Sequence, residues 1–308
     1  MITTLTVNPA LDIYSKTENF EPNEKLRCRK PLIDPGGGGI NVSRVIKRLG
    51  GESTAVYSKG GHTGKLFADL LDKEAVEQDP VHVGNDLRQN FAITETSTGN
   101  LYRFGFPGAE LRAQEYEALL EKVDQCKEGS FLVASGSLPP GAPADFYAQA
   151  AARANKCGLK FILDTSGKSY KGVLEEGAFL LKPNKNELKD LSGEATGTVE
   201  QQKEVLLKVL DKYNVEIIVL SLGAEGALLA TSGQVKHFPA PQVEHVSSIG
   251  AGDSMVAGMV YSLSTGQPIK KAVLYGLACG SATIKSPGTE LLQANDVKPL
   301  YEQLLKAT

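Results

Sequence analysis

The apolar positions of this chain fall into two rhythms that take turns along its length. "ITTLTVN" (2–8) alternates polar and apolar residues and predicts a strand. "INVSRVIKRLG" (40–50) carries Val42, Val45, Ile46 and Leu49 on one helical stripe, closed by Gly50. "STAVYS" (53–58) again predicts a strand, and "TGKLFADLLDK" (63–73) a helix. From residue 130 the exchange becomes regular: the short apolar runs "FLVASG", "KFILDTS", "AFLLKPN" and "EIIVLSLG" are separated by amphipathic stretches of helical length. Buried β-branched runs alternating with helices predict a mostly parallel sheet covered by helices on both faces, an α/β fold. Segments 11–33 and 87–106 break the pattern, alternating polar and apolar residues without offering a helix; the second carries "STGN" as a hairpin turn. Both predict a small β-sheet lid projecting beyond the main layer. No repeat, low-complexity tract or linker divides the chain, so one domain over 1–308 is expected.

Composition narrows the classes of partner. The 308 residues are 41% hydrophobic and 22% charged, enough to bury a large core without covalent staples. A net charge of −3 supplies no field for nucleic acid or an anionic membrane, so any phosphate must be met by local cations. The four cysteines (Cys28, Cys126, Cys157, Cys279) are scattered and predict free thiols in a reducing cytoplasm. The four histidines show no zinc spacing. No apolar run reaches the ~18 residues of a membrane span, and the start "MITTLTVNPALDIYS" lacks the pattern of a signal peptide. A cytoplasmic protein without membrane or nucleic-acid partners is expected.

Five short stretches carry candidate chemistry. "DPGGGGINVSR" (34–44) places four consecutive glycines directly before a helix, where backbone N–H groups and the positive helix end can approach a sugar or phosphate oxygen; the spacing is not that of a P-loop. "GGHTGKL" (60–66) is too short for that motif and reads as a helix start. "SGSLPPG" (135–141) closes a strand and predicts a pocket wall at the strand's carboxyl end. In "LKPNKNEL" (181–188), Asn184 and Glu187 stand three apart at a helix start, either capping it or ordering water around magnesium. The glycine turn of "VLSLGAEGALL" (219–229) either joins a hairpin or borders a nucleotide. In "IGAGDSMVAG" the stripe Met255, Val256, Met259, Val260 and Leu263 marks a helix beyond Gly250, Ala251 and Gly252. Their N–H groups can converge on one anion, with Asp253 in the first turn.

Taken together, "GGGGINVSR", "SGSLPPG", "KPNKNEL", "SLGAEGA" and "IGAGDSMVAG" resemble, in order and spacing, the motifs of the ribokinase-like (PfkB) carbohydrate kinases, and within them the branch whose acceptors are sugar phosphates. The resemblance runs essentially end to end. It implies a three-layer α/β/α core with a β-sheet lid that often builds a homodimer, and transfer of the γ-phosphoryl group of Mg-ATP to a primary sugar hydroxyl. It implies Asp253 as general base, with Gly250, Ala251 and Gly252 as the anion hole. Asn184 and Glu187 match an N-x-x-E motif linked to Mg²⁺ and phosphate, and Lys182, Ser221, Gly223 and Gly226 fall where the nucleotide lies. Asp12, Gly38, Gly39, Asn41 and Ser137 match the sugar pocket, and Lys25, Arg88 and Arg103 the clamp on the sugar's own phosphate. Arg27 stays undecided between clamp and solvated edge. Counterparts of Ser247, Ile249, Ser286 and Gly288 help hold K⁺ in many relatives, although Glu290 stands nearby where an arginine is expected. Because "GGGGINV" lacks the lysine of the G-K-G-I-N-V variant, fructose 6-phosphate is the expected acceptor, ahead of fructose 1-phosphate or tagatose 6-phosphate. A catalytically silent sugar-phosphate sensor is the non-enzymatic alternative. A Rossmann dehydrogenase is excluded, since no G-x-G-x-x-G follows the first strand.

Overall fold

The computed structural model describes residues 1–165 and 169–307. Its main sheet runs, edge to edge, through Gln234–Phe238, Ala227–Thr231, Val215–Ser221, Ala178–Leu181, Lys160–Asp164, Phe131–Ser135, Ile2–Thr6, Thr54–Gly60 and Glu77–Gln78; the short Val81–Val83 also pairs with Thr54–Gly60. Pairing is parallel from Val215–Ser221 to the Glu77 edge and antiparallel in the hairpin after it. Each central strand sends alternate residues to opposite faces, as the period of two requires. Leu132, Phe161 and Leu220 join the core beneath the helices Ala113–Asp124, Phe146–Lys156 and Val199–Lys212. Val133, Ile162 and Val219 join the other, beneath Gly38–Arg48, Ala251–Ser264 and Ile269–Ile284. The three-layer arrangement expected from the alternating runs is therefore present, with element bounds within two or three residues of those read from the pattern.

A second sheet of four strands runs Leu32–Gly36, Ala10–Thr17, Arg88–Glu95, Leu101–Phe104. Both irregular segments contribute to it, and Arg88–Glu95 turns into Leu101–Phe104 around the "STGN" tip. Segment 11–33 is not strand throughout. Its middle, residues 18–31, carries no strand and is held by isolated contacts such as Arg29 N–H to the Lys16 carbonyl and Phe20 stacked on Tyr102. The four glycines also do not all precede their helix. Gly36 ends a strand, Gly37 caps the helix with φ of 116°, and Gly38 and Gly39 are its first residues. A Cβ on Gly39 would lie 2.5 Å from Thr6 Oγ1, and one on Gly38 2.1 Å from Ser135 Oγ, so the helix end presses directly onto two strand ends.

The helices Ala251–Ser264 and Ile269–Ile284 cross at very short range. A Cβ on Gly276 would meet the Met255 carbonyl oxygen at 2.7 Å, and one on Gly258 the Gly276 Cα at 3.0 Å. Glycine at both positions lets the backbones touch, which fixes where the Ala251–Ser264 helix begins. Among the described residues no helix is long and apolar enough to cross a membrane.

Candidate active site

Parallel strands direct their carboxyl ends to one edge of the sheet, and the lid stands over that edge. Between them lie two cavities that share Asp12, Asn90, Arg103 and Ile249 and so form one cleft. The outer cavity, about 350 Å³, lies against the lid and is flanked by Arg88, Phe104 and Thr289. The inner one, about 290 Å³, reaches Ser137, Asp164, Glu187 and Asp253 over the helix starts at Gly38 and Gly250. Sequence-distant motifs meet there because each ends a strand or starts a helix at the same edge.

Asp253 is the third residue of its helix, after Gly250 at φ of 74°. Asn41 Nδ2 donates to Asp253 Oδ2 at 2.8 Å across 212 residues of chain. Removal from water, reinforced by the nearby Asp164 charge, outweighs Asn41 and Lys182 and pushes the Asp253 carboxyl up to about 7. Asp12, on the lid strand, accepts from Asn90 Nδ2 at 2.9 Å. Burial raises its pKa, with Asn90 and Arg88 acting the other way. A Cβ on Gly36 would clash with the Asp12 carboxylate, so glycine there leaves that side chain its place.

The expected phosphate cations are placed unequally. Arg103 is exposed and lines both cavities, and its side chain has no hydrogen bond or ion pair among the described residues. Arg88 lines the outer cavity, but its Nη1 and Nη2 donate to the Phe106 and Asn8 carbonyls at 3.2 and 3.1 Å, leaving a buried Nε without a partner. Lys25 is not brought to the cleft. It stands exposed in the strandless 18–31 stretch and lines neither cavity, because no sheet pairing draws that stretch inward. Arg27 is exposed in the same stretch.

At the nucleotide motifs, local structure accounts for much of the pattern. Asn184 and Glu187 form a reciprocal capping box: Asn184 Oδ1 accepts from the Asn186 and Glu187 N–H groups, and Glu187 Oε2 from Asn184 N–H at 2.8 Å. Glu187 still borders the inner cavity, where burial raises its pKa and Asp164 adds to the rise. Lys182 is buried against Asp164 at 3.1 Å; burial pulls its pKa down, yet the carboxylate prevails and it is raised. Its Nζ lies 3.6 Å from where a Gly252 side chain would begin, an ordinary contact distance that puts the ammonium beside the helix start. Ser221 is tied to the Pro183 carbonyl. Gly223 and Gly226 close a hairpin turn at φ of 62° and 97°, and Gly226 abuts the Phe238 carbonyl; none of these three lines the cleft. Gly39 likewise serves packing rather than lining. Ser247, Ile249 and Gly288 are brought together: Ser247 Oγ donates to the Gly288 carbonyl at 2.8 Å and accepts from Ile249 N–H at 3.3 Å; Ser286 Oγ donates instead to the Leu291 carbonyl.

Asp164, Asn90 and Thr289 are among the cleft residues that escaped the sequence reading. Asp164 had a signal, an acid at the carboxyl end of the "KFILD" run. Asn90 and Thr289 had none, since each acquires its place only through pairing or loop packing. Chemically, the cleft offers one free guanidinium at its mouth and a carboxylate at its floor. The floor also has glycine N–H groups at a helix start and a buried lysine–aspartate pair, an arrangement suited to moving a proton and an anionic group together.

A family model described as pfkB family carbohydrate kinase matches residues 6–295. An ATP-dependent 6-phosphofructokinase isozyme 2 of Mycobacterium tuberculosis is 39% identical over 308 residues, covering 100% of this chain and 91% of that protein. The phosphofructokinase-2 of Escherichia coli in complex with fructose-6-phosphate has a TM-score of 0.93 at 36% identity, with 99% of both chains covered. The same enzyme in complex with potassium has a TM-score of 0.95 at 37% identity, again over 99% of both.

Proposed function

The chain belongs to the pfkB family of carbohydrate kinases, and from that premise we propose that it is an ATP-dependent 6-phosphofructokinase. It transfers the γ-phosphoryl group of ATP to the C1 hydroxyl of fructose 6-phosphate, giving fructose 1,6-bisphosphate. The observation that carries this reading is Asp253: a carboxylate on the cleft floor, gripped at one oxygen by Asn41, on a cleft whose mouth holds an unpaired Arg103. A sugar phosphate enters with its phosphate against Arg103 and Arg88 and its ring between Asp12 and the Gly38 turn. Ser137 and Asn41 stand beside it. Its C1 hydroxyl faces Asp253, which accepts the proton as the O–P bond forms; in a loose phosphoryl-transfer transition state that proton leaves late, so a carboxylate near pH 7 suffices. The Gly250, Ala251 and Gly252 N–H groups receive charge gathering on the phosphoryl oxygens, and Lys182 lies beside them.

Glu187 would hold magnesium through water, its carboxylate fixed by the Asn184 N–H of the capping box. The Asp164 charge beside Glu187 raises that carboxylate's affinity for positive charge, which fits a hydrated divalent ion. When bound, Mg²⁺ neutralises the ATP phosphates. The carbonyls around Ser247, Ile249, Ser286 and Gly288 take K⁺, and Ser221, Gly223 and Gly226 border the nucleotide. The domain acts as one unit over 1–308, pairs with a second copy through its lid, and works in the cytoplasm. Lys25 serves the phosphate clamp only if that pairing or a lid movement brings it near. A coupled assay of ADP release from Mg-ATP tests the whole. Fructose 6-phosphate is expected to give the highest kcat/KM, and a preference for fructose 1-phosphate or tagatose 6-phosphate reassigns the acceptor. No turnover with any of the three returns the chain to a sugar-phosphate sensor.

A further inference from the structure

Arg44 is among the largest fully buried side chains of the described residues, 1% exposed, on the helix that carries Asn41 one turn earlier. Its donors are all engaged. Nε and Nη2 donate to Glu74 Oε1 at 2.9 and 2.6 Å, and Nη2 also to Asp34 Oδ1 at 3.1 Å. Nη1 donates to the Pro35 carbonyl at 2.9 Å and reaches Asn41 Oδ1 at 3.5 Å. Two carboxylates and a carbonyl would anchor a structural arginine without the last contact. The Asn41 amide, itself 8% exposed, is thus wedged between a guanidinium and the Asp253 carboxylate. A guanidinium has only donors and an ionised carboxylate only acceptors. One orientation of the amide satisfies both.

We infer that Arg44 is a positioning residue: by facing the carbonyl end of the Asn41 amide, it keeps the amino end turned to Asp253 and so favours the carboxylate. This rests on the reading of Asp253 as proton acceptor. Once Asp253 is protonated, its hydroxyl can donate, and an amide free to turn would accept that proton and stabilise the acid. Turning would aim the amino group at Arg44, so the arginine closes that route. It thereby sets the ionisation of a group it does not touch. Asp164, Lys182 and Asp12 also face Asp253. Glu74 is shared with Arg48, and Asp34 accepts from Thr289 at 2.7 Å, which keeps Arg44's carboxylate partners supported when the arginine is replaced.

The test is the acid limb of kcat/KM for fructose 6-phosphate. In Arg44→Met the limb is expected to move up by about one pH unit, the size of one lost hydrogen bond to a charged group. Activity would then be about tenfold lower at pH 6 and nearly unchanged at pH 9. The substrate phosphate titrates near pH 6 in every variant, so only the difference between limbs matters. Arg44→Lys keeps a donor-only cation but shortens its reach and breaks the fork, so its limb is expected to lie between those of the wild type and Arg44→Met; an unmoved limb in Arg44→Met overturns the inference. Should neither variant fold, the wild-type protein labelled with ¹⁵N-asparagine decides. One set of Asn41 side-chain signals, moving with the midpoint of the acid limb, supports the inference. A second set growing as pH falls shows the amide turning and overturns it. Asp253→Asn, run alongside, separates the two readings. Its turnover would remove the proton-acceptor assignment, whereas an inert Asp253→Asn beside an unmoved Arg44→Met limb removes only the role of Arg44.

Discussion

Asp253 is exposed to opposing demands: burial and Asp164 favour its acid form, while Asn41 and Lys182 favour the carboxylate. The net rise to about 7 has a kinetic and a thermodynamic sign. As proton acceptor it must be ionised, so kcat/KM is expected to fall as pH drops below about 7. For stability, a carboxyl raised from 3.8 disfavours folding once ionised, so its contribution is full below about pH 4 and lost as pH rises through 7. Asp253→Asn is therefore expected to lose at least about a hundredfold in kcat while keeping ATP affinity. Its Tm should exceed the wild-type value at pH 8, with the gap closing toward pH 4, by calorimetry. Arg103→Ala, which removes a free guanidinium and no internal contact, is expected to raise the sugar-phosphate KM about tenfold or more with little change in Tm; an unchanged KM shows it to be a surface charge. Asp253 was legible because its glycines and its apolar stripe are contiguous in sequence. Asp164 and Arg44 were not, because a strand-end acid and a basic residue in an amphipathic helix are commonplace until the fold puts them beside something.

The element that presents Asp253 is positioned by its neighbour. Gly258 and Gly276 let the Ala251–Ser264 and Ile269–Ile284 helices touch, and Gly280 sits 3.1 Å from the Ala251 carbonyl by the same measure. Gly276→Val would force the helices apart against a fully buried layer that includes Val256 and Val273. The expected cost is about 1–3 kcal/mol, read as a lower midpoint in urea with m unchanged. An equal midpoint would show that the crossing tolerates separation. Periodicity announced the first of these helices and its core stripe. It was silent on the crossing, which depends on glycines that carry no hydrophobic signal. At Asn184 and Glu187, the bland reading of a capped helix is what the backbone shows, and any metal role is added to that cap.

At the scale of the whole molecule, the lid and the core share one continuous connection. The strand Leu32–Gly36 leads through Gly37 alone into the helix holding Asn41 and Arg44. The lid also bears exposed Leu32 and Phe106, 38% and 49% accessible, the residues that the proposed pairing would bury. Replacing both by serine is expected to shift the protein toward monomer in sedimentation velocity, and a wild-type protein already monomeric at micromolar concentration refutes the pairing. The α/β class and the existence of a lid were legible from period alone. The lid's wiring was not, because the parallel partnership of Ala10–Thr17 with Arg88–Glu95 joins segments remote in sequence.

Because Ile2–Thr6 lies between Thr54–Gly60 and Phe131–Ser135, it acquires its second neighbour only when residue 135 has been made, well after Thr54–Gly60 is available. At typical synthesis rates that delay is on the order of ten seconds. Throughout it, a fully buried strand of the finished protein offers an open apolar edge to other nascent chains. Assembly of the sheet centre is thus deferred by topology, and the hazard of misassociation lasts until the Phe131–Ser135 strand is in place.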